Sequence, residues 1–166
     1  NVVANVADLL DRQLALLTNP ATNAGLPANL VARDGDDRFT HHGFKAMEIT
    51  SSALTAEALK LAAPASVFSR STESHNQDKV SMGTISAREA LRICELAERV
   101  AAIHLLALCQ AVDLRGPETC GRATRSVWEA VRSRVPKNDG DRRMDRDIVE
   151  ALALWQDGGL PLEEPA

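Results

Sequence analysis

The chain has 166 residues, 45% of them hydrophobic and 25% charged, with a formal net charge of −4, enough for one all-α or mixed domain with a core of its own. The mildly acidic balance argues against nucleic acid or an anionic membrane surface as partner, and no apolar run reaches the ~18 residues that a membrane helix needs. Cys94, Cys109 and Cys120 show no metal spacing and read as reduced thiols of a cytoplasmic protein.

Val3, Val6, Leu9, Leu10, Leu14 and Leu17 recur at helical spacing and predict a first helix over 2–18, stopped by Asn19-Pro20. The chain opens on Asn1, already inside that pattern, so it is expected to be a piece of something larger. A polar stretch over 23–40, with Gly25, Pro27 and the acidic run Asp34-Gly35-Asp36-Asp37, reads as a long loop, and long loops in compact proteins are often functional. Strong helix formers predict a second helix over 43–62, ended by Pro64. Residues 65–84, rich in Ser, Thr and Asn, read as loop with room for one helical turn. Ser86-Ala87-Arg88-Glu89 is a capping box. After it, Leu91, Cys94, Ala97, Ala101, Leu105, Leu108 and Val112 form a stripe on a helix over 86–113, ~40 Å long. A helix of that length needs other long helices to pack on. Ser126-Val127-Trp128-Glu129 repeats the capping pattern, although Trp128 and Val131 fit a helix from Glu118 equally well; Pro136 closes either. Residues 137–141 read as a turn, 145–156 as a last helix, and the tail from Gly158 as frayed. No strand alternation occurs, so the class is all-α.

Three segments carry more polar chemistry than a helical bundle needs. His41-His42 lacks any further histidine at metal-ligand spacing, and reads as a pair making local hydrogen bonds at a helix N-terminus. Lys45 and Ile49, four residues apart, share one helix face; on the residues alone they read as a snorkelling lysine beside a core isoleucine. Ser69 to Met82 collects hydroxyls, amides and carboxylates, which by composition is a solvated loop and, if buried, must pair internally or face a ligand. The run Asp34–Asp37 fails the calcium-loop pattern and reads as a solvated turn.

Order and spacing together carry a resemblance. Gly25-Leu26-Pro27-Ala28-Asn29-Leu30 is followed by His42-Gly43-Phe44-Lys45-Ala46-Met47-Glu48-Ile49, Pro64-Ala65-Ser66-Val67, Glu73-Ser74-His75-Asn76-Gln77-Asp78 and Val80-Ser81-Met82-Gly83-Thr84-Ile85-Ser86-Ala87-Arg88. In these the chain resembles the histidine, phenylalanine and tyrosine ammonia-lyases and the related aromatic 2,3-aminomutases, along their C-terminal portion and nearly its whole length. The resemblance implies the long-helix bundle of that fold, a homotetramer, and an active site shared between subunits. It also implies an electrophilic 4-methylidene-imidazol-5-one, formed from an internal Ala-Ser-Gly, with a tyrosine as base and no metal. Residues 1–166 contain neither an Ala-Ser-Gly nor a tyrosine, so the chain alone is expected to be inactive.

Carried over residue by residue, the resemblance gives Glu73, Asn76 and Gln77 catalytic positions and Phe44, Lys45 and Ile49 substrate-binding ones. Glu73 would lie near the substrate amino group, and Asn76 and Gln77 near the electrophile. Gln77 stands where histidine-type enzymes have a glutamate. A neutral amide suits an uncharged aryl ring, so the expected substrate is phenylalanine or tyrosine. An aromatic 2,3-aminomutase is the alternative, and a helical oligomerisation module without chemistry is a third reading.

Overall fold

The computed structural model describes residues 1–77 and 79–162, and the described residues are helical: α1 (Val2–Thr18), α2 (Lys45–Leu61), α3 (Gly83–Arg115), α4 (Arg122–Arg132) and α5 (Asp145–Gln156). Short 3-10 turns lie between them at Ala28–Leu30, Gly35–Thr40, Ala65–Phe68 and Pro117–Thr119. The first, second and last helices fall within two residues of the predicted spans. The long loop is more ordered than expected, because two of the 3-10 turns lie in it, one of them containing the acidic run.

The centre of the fold is α3, 33 residues long and therefore ~50 Å. It starts three residues before the predicted capping box. Met82, left-handed at φ 55, turns the chain into the helix, so Ser86 is already inside the first turn and donates its backbone amide to Met82 O at 3.1 Å. Likewise α4 begins at Arg122, between the two predicted starts.

The buried face of α3 runs through Ile93, Leu96, Val100, Ile103, Leu106 and Gln110, offset from the stripe that sequence spacing predicted, of which Ala97 is buried and Leu105 and Val112 are half-buried. Of that stripe Leu91, Cys94, Ala101 and Leu108 are exposed. On α1, similarly, Ala4, Ala7 and Leu14 are buried while Val3, Val6 and Leu9 are exposed. The physical reason is close approach: Ala7 packs on Ala97 and Val100, and Ala4 on Ala58, Ile93 and Leu96. Small residues bring α1, α2 and α3 together, and Val3, Val6, Leu9, Leu91 and Leu108 are left facing outward. A groove of about 330 Å³ between α1, α3 and α5, lined by Val6, Leu10, Leu105, Leu152 and Trp155, continues that outward apolar surface.

Two polar clusters tie the other elements to α3. Gln110, fully buried, donates to the carbonyls of Leu30 (3.2 Å) and Asn138 (3.0 Å) and accepts from Asn138 N (3.1 Å). Asp113 accepts from Trp128 Nε1 and from the Arg132 guanidinium of α4. After α5, Gly159 N donates to Leu154 O at 2.9 Å with Gly158 at φ 69. That is a left-handed helix cap, so the chain is held at Gly158 and Gly159, where fraying was expected; residues 163–166 of the tail lie outside the described residues. Among the described residues, no helix is long and apolar enough to cross a membrane.

Candidate functional site

Phe44 immediately precedes α2 and is 2% exposed, packed among Leu14, Leu30 and Met47. Its amide donates to Asn29 O at 2.8 Å, which ties the start of α2 to the Gly25–Leu30 loop. Gly43 makes that approach feasible. It sits at φ 54, and a Cβ there would run into the Asn29 carbonyl and the Val31 side chain. Lys45 and Ile49 follow on one face of α2, one turn apart, and both are exposed, Ile49 by 63%. Of the three expected substrate-binding residues, two therefore present a surface and Phe44 supports it from within the core.

The helix start has a partner that sequence reasoning missed. The Asp141 carboxylate accepts from the backbone amides of His42 (2.9 Å) and Gly43 (3.0 Å), with His42 Nδ1 at 3.2 Å. An acidic group 99 positions away thus satisfies the amides of the two residues that lead into Phe44, ahead of the first turn of α2. The histidine pair does sit at a helix entrance, but the His42 bonds are long-range; those of His41, to Thr40 and the Asp37 carbonyl, are local. Burial pushes the Asp141 carboxyl up. The amides of His42 and Gly43 and the His42 ring outweigh that and hold it below its ordinary value.

A carboxylate depressed in this way stabilises the fold above its unfolded pKa, ~3.9, and the contribution disappears as pH falls through the lower folded value. Between about pH 5 and pH 2.5, the thermal midpoint of the native chain should therefore fall more than that of Asp141→Asn. Parallel slopes in circular-dichroism melts would show that these bonds contribute nothing.

Glu73, Asn76 and Gln77 lie in a compact turn between the Ala65–Phe68 3-10 turn and α3. Thr72 and Gln77 pair their backbones in an antiparallel bridge, with N···O distances of 3.1 and 3.2 Å. Gln77 Nε2 donates to Glu73 Oε2 at 3.1 Å, and Val80 N donates to Ser69 Oγ at 2.8 Å. The structure thus brings Glu73 and Gln77 together, with Asn76 between them in the chain. All three are exposed, as are Lys45 and Ile49, and among the described residues no hydrogen bond joins the turn to α2. Asp78 of the matched segment lies outside the described residues.

Other reactive groups have structural roles. Burial pushes the Cys109 thiol up to about 11, which makes it inert at neutral pH. Burial also lowers the His104 pKa, keeping the ring neutral. Among the described residues no cluster of three or more His, Cys, Asp or Glu side chains could hold a metal ion.

Comparison with known proteins adds four findings. A sequence model of a family described as aromatic amino acid lyase matches residues 1–133. The histidine ammonia-lyase of Natranaerobius thermophilus is 40% identical over 161 residues, covering 97% of this chain and 31% of that protein. Among solved structures, a tyrosine aminomutase from Streptomyces globisporus superposes with a TM-score of 0.85 at 35% identity, over 95% of this chain and 29% of its own. A histidine ammonia-lyase from Trypanosoma cruzi does so at 0.83 and 36%, over 92% and 29%. The chain thus spans less than a third of the length of these relatives.

Proposed function

Because this chain belongs to the aromatic amino acid lyase family, we propose that it is the C-terminal part of a longer ammonia-lyase that eliminates ammonia from phenylalanine or tyrosine to give an arylacrylate. The observation that carries this reading is the Glu73–Asn76–Gln77 turn, in which a neutral amide and a carboxylate are held 3.1 Å apart. Asn76 and Gln77 offer amide donors and acceptors, which fit the carbonyl and ring nitrogens of a 4-methylidene-imidazol-5-one. When bound, that group supplies the electron-poor carbon that activates the substrate.

The chain's own residues do the rest of the work assigned to this segment. Glu73, fixed by Gln77, pairs with the substrate ammonium and can take one proton from it, which leaves a neutral amine with a free nitrogen lone pair. Asn76 and Gln77 hold the substrate by hydrogen bonds. Lys45 and Ile49 supply one wall for the aryl ring, the lysine through its methylene stem. Phe44 keeps that wall in register from the core side.

Outward-facing Val3, Val6, Leu9, Leu91 and Leu108 make self-association part of the reading, with a homotetramer in the cytoplasm as the working form. That assembly would close the second wall over the turn. Light scattering should show the 166-residue chain as an oligomer, and a clean monomer would remove this element.

Residues 1–166 hold no Ala-Ser-Gly and no tyrosine, so the chain as sole protein should release no cinnamate from phenylalanine; cinnamate measurable by its ultraviolet absorbance would overturn the division of labour. The similarity to a tyrosine aminomutase favours a second reading, in which the ammonia is re-added at the β-carbon. The similarity to histidine ammonia-lyases makes histidine the competing substrate. Incubating the longer protein with phenylalanine, tyrosine and histidine separates these readings. An arylacrylate supports the lyase proposed here, a β-amino acid supports the mutase, and urocanate alone refutes the role given to Gln77.

A further inference from the structure

We propose that His75 is a positioning residue, whose hydrogen bond with Ser71 clamps the left-handed turn that presents Asn76 and Gln77. The inference rests on the reading of that turn as part of a lyase site. Its starting point is the backbone. Glu73, Ser74 and His75 adopt φ values of 51°, 55° and 68° in succession, and none of the three is glycine. L residues enter this region at a steric cost and usually singly. Runs of strained residues persist only where surrounding interactions over-determine them, and such places cluster at functional sites.

Within the single chain, burial does not hold this turn, because residues 71 to 77 are all exposed. Hydrogen bonds must. The Thr72–Gln77 bridge closes the outer frame, and Asn76 N donates to Glu73 O at 3.0 Å across the turn. Ser71 Oγ and His75 Nδ1 lie 2.8 Å apart. This side-chain bond runs from the flank of the turn to its last left-handed residue, and that residue directly precedes Asn76. If His75 rotates back to negative φ, the peptide leading into Asn76 swings with it, and the Gln77–Glu73 contact is misplaced. The Ser71–His75 bond therefore acts on the amides through the backbone, while His75 need not touch the substrate.

The clamp makes a sharp demand on substitutions. Asparagine places a polar atom where the histidine has Nδ1, and it tolerates left-handed φ. Alanine does neither. In the longer protein, His75→Ala and Ser71→Ala should each lower kcat by about 10- to 100-fold, the scale of a misplaced catalytic group, while KM changes by less than about 3-fold. His75→Asn should recover kcat to within about 3-fold of the native value, and the double alanine variant should be no worse than either single one. Native-like kcat in His75→Ala, or no rescue by asparagine, overturns the proposal. A structural readout on the 166-residue chain stands apart from activity: backbone chemical shifts of residues 73–75. They should report left-handed φ in the native chain and in His75→Asn, and averaging in His75→Ala. A turn that stays left-handed in His75→Ala also overturns the clamp. A longer protein that turns over none of the three amino acids refutes the function reading, and the chemical shifts then decide the clamp alone.

Discussion

Replacing Asp113 with alanine is expected to cost about 3–5 kcal/mol of stability, the range for breaking one side of a buried ion pair. Asp113 sits on α3 with its side chain 6% exposed, facing Arg132 of α4 at 12%. Its two oxygens accept from Trp128 Nε1 at 2.8 Å and from Arg132 Nε at 2.9 Å, and Arg132 Nη2 reaches it at 2.6 Å. Arg132 Nη1 donates onward to Val135 O at 3.1 Å. Alanine would leave a guanidinium charge and an indole N–H in a site that water reaches poorly, and each is costly unpaired.

The loss should undock α4, which meets α3 through this cluster and through Val131 and Val135 of the core. Urea unfolding followed by circular dichroism measures the loss. Asp113→Asn keeps acceptors without the charge and should fall between native and alanine. Asp113→Leu combined with Arg132→Met removes both charges, and should be less damaging than Asp113→Ala. A loss below about 1 kcal/mol in Asp113→Ala would mean that apolar packing alone docks α4.

The parts of the fold that could be read from sequence are those decided by neighbours along the chain. Asn19 is extended at φ −89, ψ 120, as a residue before proline should be, and α1 ends where Asn19-Pro20 said it would. Lys45 and Ile49 share a face because α-helical geometry places i and i+4 together in any context. The stripe on α3 shows where this reasoning stops. Periodicity finds an apolar face, but α3 has two. Sequence alone does not rank Ile93, Leu96 and Val100 above Leu91, Cys94 and Leu108. The choice falls on the face where Ala4, Ala7 and Ala58 allow the backbones to approach, and that is a three-helix property.

The candidate site divides in the same way. Its residues were found through the order of matched segments, yet their arrangement depends on contacts with no sequence signature. The left-handed run at Glu73, Ser74 and His75 contains no glycine to announce it. Asp141, in a stretch that reads as an ordinary turn, binds the amides of His42 and Gly43 just ahead of α2, nearly a hundred positions earlier in the chain. Phe44 belongs to the segment that carries the resemblance, and only packing shows that it supports the helix face from inside.

Gln110→Leu is the corresponding test of how the core and the site are joined, and it should cost about 3 kcal/mol or more. Leucine nearly matches glutamine in volume, so little cavity forms and the loss is one of hydrogen bonds. The native amide serves three backbone groups at once: Leu30 O, Asn138 O and Asn138 N. Each buried group left unpaired costs on the order of 1–3 kcal/mol. The damage should also travel. Leu30 follows Asn29, whose carbonyl holds Phe44 at the start of α2, and Asn138 leads within three positions to Asp141, whose carboxylate holds the His42 and Gly43 amides just ahead of the same helix. Both tethers on the Lys45–Ile49 face thus run through one side chain. Amide hydrogen exchange should show faster opening at 29–31 and 42–45 in Gln110→Leu than in the native chain, while Ile93 to Val100 of α3 stay protected. Gln110→Glu separates geometry from chemistry. It keeps the acceptor for Asn138 N but loses the two donors, and should destabilise at neutral pH and recover in part as acid protonates the carboxyl, which restores one donor. A uniform rise in exchange along the chain would show that Gln110 stabilises the fold without linking the core specifically to the start of α2.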